Sequence, residues 1–240
     1  MKKQSLIIDC DPGVDDALGL FLAFGSPALE LLAVTTVGGN VPGEITARNA
    51  RIMRQLAGRE DVPVHAGADR PLVREPVGAG EFHGEGGIGD MVPFEPALGN
   101  ASGDAAQAIV DLVMARPAGS VALAVMGPMT NIALAMRLEP GLAAHLGPVS
   151  VMGGARSEGG NITASAEFNI YADPDAAAER AAGGLLRFSQ RVEREIVGWD
   201  AGPLHDPCTV AWLLKPDLFA LRPCRIDVET VSDLTRGHTA

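Results

Sequence analysis

Three things are scarce in this chain of 240 residues: long apolar runs, positive charge and cysteine. No stretch of about 18 apolar residues occurs, so no membrane span is expected. Met1-Lys2-Lys3-Gln4 is basic, but Asp9 cuts short the apolar run behind it. A secretory leader needs a longer apolar core, and the chain reads as cytoplasmic. With 19 Lys and Arg against 30 Asp and Glu, the net charge is -11, which argues against a nucleic-acid polymer as partner. The three cysteines, Cys10, Cys208 and Cys224, are far apart and form no CxxC. That pattern fits reduced thiols better than a disulfide frame or a zinc site. Cys10 lies between two aspartates, which would keep its thiol protonated; it reads as a small buried strand residue and not as a nucleophile.

What is present is an alternation. Leu6-Ile7-Ile8 is a short apolar run ended by Pro12-Gly13, a strand stopping at a turn, and Asp15 onward reads as a helix. Leu29–Val37 is strand-like and ends at Gly38-Gly39-Asn40; Thr46–Gly58 has helical spacing; residues 62–67 form another short strand. Asp104–Arg116 predicts a helix, Val121–Met126 a strand closed by Gly127-Pro128, Thr130–Leu138 a helix and Val149–Met152 a strand. The length allows one large domain or two small ones. The alternation predicts an α/β fold, a mainly parallel sheet flanked by helices on both faces, with a Rossmann-like core. Right-handed crossovers put all strand C-termini on one edge. The Asp cluster, Asn40, Met126 and the Gly153 loop would then open onto one crevice.

Three stretches carry chemistry. In LIIDCDPGVDD, Asp9, Asp11, Asp15 and Asp16 fall within eight residues at a strand-to-helix junction. If they converge they repel, and a cation is the simplest way to hold them; an all-oxygen site favours Ca2+ or Mg2+. Otherwise Asp15 and Asp16 complement the helix dipole and Asp9 and Asp11 are solvated. In EGGNITASAEFN, Asn161, Glu167 and Asn169 suit a polyhydroxylated sugar, although Asn and Glu also cap helices. Asp206, in His205-Asp206-Pro207, precedes a helix over Cys208–Leu214 and fits an N-cap. The Gly-rich segment Gly78–Gly89 has no GK[ST] and carries Glu81 and Glu85, so it reads as a mobile loop beside the site and not as a phosphate cradle.

DCDPGVDDALGL resembles the N-terminal signature of the inosine-uridine-preferring nucleoside hydrolases, Ca2+-dependent N-ribohydrolases, in the spacing of all four Asp residues, the Pro-Gly and the helix entry. The HGE at His83, the EGGNITASAEFN run and the HDP unit resemble further parts of that family's pattern. The resemblance implies hydrolysis of the N-glycosidic bond of a small-molecule ribonucleoside, which carries no phosphate and is compatible with the acidic charge. It implies Ca2+ held by Asp11, Asp16, Asp206 and the backbone carbonyl of Met126, with Asp11 activating a Ca2+-bound water. It further implies Asp15, Asn40, Asn161, Glu167 and Asn169 on the ribose hydroxyls and His83 beside the nucleoside pocket. His205 would protonate the departing base. A homodimer or homotetramer is implied on the same ground. Family members contact the base from the helix here read over Leu185–Trp199, often through Tyr; this chain has only Phe188 and Trp199 there, so base preference stays open.

Two departures stand out along the resemblance, which runs from Leu6 to about Val231. Between about residues 182 and 185 a strand-helix unit of about 30 residues is missing, and the family's final strand and helix do not follow Ala240. Loss of a strand would expose a sheet edge; omission of part of the natural chain is the preferred explanation, because the site motifs survive on both sides. An intact mass well above 24.9 kDa would support omission. Two other functions compete. A haloacid-dehalogenase-type phosphatase would use Asp9 as nucleophile and Asp11 as acid, but Pro12-Gly13 stands where that site wants Thr or Val. A nucleoside- or ribose-binding protein would keep the pocket without turnover.

Overall fold

The computed structural model describes residues 3–155, 159–179, 205–221, 223 and 225–240. Five strands, β1 (Gln4–Cys10), β2 (Leu29–Thr36), β3 (Val64–Ala66), β4 (Val121–Val125) and β5 (Val149–Val151), form one sheet in the order β3-β2-β1-β4-β5. Every ladder within it is parallel. The helices between them are α1 (Val14–Gly25), α2 (Gly43–Leu56), α3 (Gly80–His83), α4 (Ala105–Met114), α5 (Thr130–Leu138) and α6 (Leu142–His145). After β5 come α7 (Phe168–Ala172), α8 (Pro174–Ala178) and α9 (Pro207–Leu214). The α/β expectation is met, and the proposed base-contacting helix over Leu185–Trp199 lies outside the described residues.

The strand period of two explains the layers. Leu6, Ile8 and Cys10 of β1 join one apolar cluster with Leu20, Phe24, Met53 and Val210, from α1, α2 and α9. Ile7 points the other way, into a cluster with Ile109, Val113, Ile132 and Met136 of α4 and α5. A strand buried on both faces reads as a continuous apolar run, and each large side chain so buried contributes roughly 1.5–3 kcal/mol. Chain order reverses where β1 lies between β2 and β4, so a crevice opens at the C-terminal ends of β1 and β4. Met126 N–H donates to the Asp9 carbonyl at 2.7 Å and brings those two ends together.

Several boundaries differ from the pattern reading. α2 begins at Gly43, before Thr46, because the Pro42 carbonyl already accepts from Ile45 and Thr46 N–H; a proline at a helix entry is a start signal as well as a breaker. α4 begins at Ala105, with Asp104 as its cap, accepting from Ala106 N–H. The Gly-rich segment is not a free loop. It holds α3, buries Ala79 and Ile88, and is tied at its entry by Ala79 N–H to the Asn40 carbonyl at 2.9 Å.

Candidate active site

The end of β1 sorts its aspartates by strand alternation. Asp9 follows Ile7 onto the α5 side, where Thr35 Oγ1 (2.5 Å) and Asn131 Nδ2 (2.8 Å) donate to its Oδ1. Burial pushes its carboxyl up to about 7 despite those two bonds. Asp9 is fully buried and lines no part of the cavity described below, which removes the solvated reading and deprives the phosphatase reading of its nucleophile. Cys10, buried in the opposite cluster, has its thiol pushed well up by burial and then by the neighbouring carboxylates, as a strand residue would.

Asp11 leaves the strand on the crevice side. Its Oδ2 accepts Asn40 N–H at 2.7 Å, and Asn40 Nδ2 donates both to the Asp11 carbonyl (3.1 Å) and to Asp16 Oδ2 (3.2 Å). Asp16 Oδ2 also accepts Gly13 N–H at 2.9 Å. The backbone closes tightly around Asp11: a Cβ on Gly39 would lie 2.1 Å from its Oδ2, and one on Gly127 2.7 Å from its Oδ1. Asp206 stands at the start of α9, where its side chain makes no cap bond. Thr209 N–H and Oγ1 both donate to the Asp206 carbonyl instead, leaving the carboxylate to face Asp16. The N-cap role for that side chain is therefore corrected.

Asp15, Asp16 and Asp206 bring one oxygen each within 4.8 Å of one another. Burial, and then the neighbouring aspartates, push Asp11 and Asp206 well above the usual carboxylate range and Asp16 to about 7. Oδ1 of Asp11 and Oδ1 of Asp16 are buried without a partner. Such oxygens are costly to leave unpaired. Unpaired buried oxygens, mutual repulsion and an all-oxygen donor set fit a hard divalent cation, which reverses the local preference for neutral carboxyls.

Asp15, Asn40, His83, Met126, Asn161, Glu167, Asn169, His205 and Asp206 line one cavity of about 220 Å³. Nine of the eleven sequence-derived site residues thus meet there. The other two, Asp11 and Asp16, are fully buried and reach it through Asn40 and Asp206. Several lining groups also serve the scaffold. Glu167 does cap α7, accepting from Asn169 N–H and Ile170 N–H, and takes Gly154 N–H as well; burial raises its carboxyl. Asn161 Oδ1 accepts Phe168 N–H at 2.7 Å, and Asn169 Nδ2 donates to the Met126 carbonyl at 2.7 Å. His83 Nδ1 accepts Val14 N–H at 3.2 Å and lies 3.9 Å from Asp15 Oδ1. The sequence reading missed the apolar wall of Phe82, Met152 and Ile162. A large aromatic beside His83 in a Gly-rich stretch was the available signal, and Phe82 stands 74% exposed.

A family model described as "Inosine-uridine preferring nucleoside hydrolase" matches residues 6–182 and 178–240. A pyrimidine-specific ribonucleoside hydrolase, RihA of Photobacterium profundum, is 37% identical over 274 aligned positions, covering 98% of this chain and 88% of RihA. Among solved structures, the plant nucleoside hydrolase PpNRh1 superposes with a TM-score of 0.85 at 28% identity, covering 98% of this chain and 86% of that one. The purine-preferring ribonucleoside hydrolase from Gardnerella vaginalis gives a TM-score of 0.84 at 27% identity, covering 98% and 87%.

Proposed function

The chain belongs to the inosine-uridine preferring nucleoside hydrolase family and is a nucleoside hydrolase that cleaves the N-glycosidic bond of ribonucleosides; from this premise we propose how its residues divide the work. The observation that carries the proposal is the pair of buried, unpartnered oxygens of Asp11 and Asp16 behind a cavity walled by Asn161, Glu167 and Asn169. Asp11, Asp16, Asp206 and the Met126 carbonyl, which here accepts from Asn169 Nδ2, would hold Ca2+. When bound, the cation supplies Lewis-acid polarisation of the attacking water and of ribose hydroxyls.

The remaining chemistry belongs to side chains. Cleavage passes through an oxocarbenium-like sugar. Asp11 accepts the proton of the attacking water. Asp15, Asn40, Asn161, Glu167 and Asn169 hold the ribose hydroxyls, and such contacts accelerate the reaction as far as they tighten in the transition state. His83 borders the base, and His205, adjacent to Asp206, donates a proton to it as it leaves. All of these residues but the buried Asp11 line one cavity, and Asp11 is joined to it through Asn40, which supports these roles.

The 240 residues form a single domain that lacks an internal segment at about 182–185 relative to its kin. Two points support this: the family model matches in two overlapping pieces, and alignment to RihA needs 274 positions for 98% of the chain. We also place the enzyme in the cytoplasm, consistent with the reduced thiol of buried Cys10, as a homodimer or homotetramer serving nucleoside salvage or catabolism. The test is free-ribose release from inosine and from uridine, each with Ca2+ and with chelator. Chelator-sensitive release supports the division of labour. Binding of nucleoside without release would point instead to a protein that kept the pocket and lost turnover.

A further inference from the structure

Asn49 lies in the middle of α2 (Gly43–Leu56) and is fully buried. Asparagine is a poorer helix former than alanine, and a buried carboxamide is costly unless its hydrogens are paired. Both are paired outside the helix. Nδ2 donates to the Pro12 carbonyl at 3.2 Å and to the Gly86 carbonyl at 2.8 Å, while its oxygen takes only a long 3.4 Å bond from Arg48. Pro12 belongs to the turn that carries Asp11, and Gly86 to the segment that carries Phe82 and His83. The backbone there comes so close to α2 that a Cβ on Gly87 (φ +77°) would lie 2.8 Å from Asn49 Nδ2. The segment closes back on itself through Gly87 N–H to the Gly84 carbonyl and Gly89 N–H to the His83 carbonyl. Fixing Gly86 therefore fixes α3.

We propose that Asn49 is a positioning residue, which staples the Gly-rich segment to the Asp11 turn and so sets His83 at the wall of the cavity. The proposal rests on the nucleoside-hydrolase reading for its catalytic consequence. His83 Nδ1 accepts Val14 N–H, which assigns the ring proton of the neutral imidazole to Nε2 and makes the ring a donor of defined orientation. That orientation requires α3 to stay seated over the start of α1. Asp11 does not depend on Asn49 in the same way, because Asn40 holds it through its backbone N–H and its side chain.

The test compares Asn49→Ala and the isosteric Asn49→Asp, which keeps the shape and removes the donors, in the full chain with Ca2+. Each is made alone and with His83→Ala. Displacements of about 1 Å cost up to about 10²-fold, and the expected loss of kcat/KM is about tenfold in either single variant. Ca2+ affinity by calorimetry should stay within about twofold, and amide exchange across residues 78–89 should quicken. In the His83→Ala background the same change should add less than about twofold, because the residue it acts through is gone. An equal loss in both backgrounds, or a parallel fall in Ca2+ affinity, overturns the assignment. If the wild type releases no ribose, the functional reading fails; the exchange measurement still decides the staple, and unchanged exchange at 78–89 in both Asn49 variants ends it.

Discussion

Asp173 and Asp11 are both fully buried aspartates beside the same sheet, yet the protein treats them oppositely. Asp173 caps α8 and accepts from Leu72 N–H (2.9 Å), Thr130 Oγ1 (2.7 Å) and Ala176 N–H (3.0 Å), so that both oxygens are used. Asp11 and Asp16 each use one oxygen and leave the other buried and unpaired. The first arrangement is a joint between α5, α8 and the chain after β3. The second is the arrangement proposed above to hold a cation. Burial alone does not separate the two, and neither does one unpaired oxygen, since Asp9 Oδ2 is buried without a partner as well; what marks Asp11 and Asp16 is an unpaired oxygen together with crowding by neighbouring aspartates.

The strongest way to break this contrast is to remove a carboxylate of the second group or the cation it is proposed to hold. Asp11→Ala should abolish turnover, a loss of at least about 10³-fold for a residue proposed both to hold the cation and to accept the proton. Chelation should do the same to the wild type and lower its melting temperature, since a ligand that binds only the folded state stabilises it. Residual activity in chelator equal to that in Ca2+ would end the coordination reading.

His205→Ala comes next. It should lower kcat by about 10²–10⁴-fold, the range for a general acid, with Ca2+ affinity intact by calorimetry. If Ca2+ affinity falls as far in His205→Ala as in Asp11→Ala, the two roles have been divided wrongly.

Asp173→Ala should act on the other side of the comparison. It strands three donors, and a buried donor left unpaired costs roughly 1–3 kcal/mol, so urea unfolding should show a loss of about 3 kcal/mol or more. Its chelator sensitivity should match the wild type; a change there would mean that the joint and the proposed cation site are one system. The smallest effect is expected from Thr209→Val, which removes the 2.7 Å bond from Thr209 Oγ1 to the Asp206 carbonyl. About 1 kcal/mol of stability should be lost, together with a slight weakening of Ca2+ binding.

The elements that shape the crevice were legible because their signals are local. An apolar run halted by Pro12-Gly13 is β1 and its turn, and Val121–Val125 ended by Met126-Gly127 is β4 and its opening onto the site. The convergence of Asp11, Asp16, Asn40 and Met126 followed from strand ends sharing one edge, whereas Asp206 was brought to the site only by the resemblance carried by His205-Asp206-Pro207. What stayed hidden depends on partners far along the chain. Asn131 gives no sign in the sequence that it meets Asp9 across 122 positions and also holds the Thr36 carbonyl and Ala68 N–H. Asn49 likewise reads as one polar residue in a helix. Glu167 was legible both as a cap and as a pocket residue, and its geometry makes it both.

The strand order has a further consequence for biosynthesis. β1 is made first but lies between β2 and β4, so its second edge stays uncovered until Val121–Val125 has left the ribosome. Parallel pairing over such a separation is slow to form, and chains grow N-terminus first. Asp11 and Asp16 are therefore synthesised long before the strand beside them can seal. Asp206 emerges some 190 residues after Asp16, so the last proposed protein ligand reaches a nascent chain in which β1 to β5 have already been translated. On the proposed ligand set, cation capture is then a closing event of maturation. A chain interrupted before α9 would carry the sheet without the complete centre.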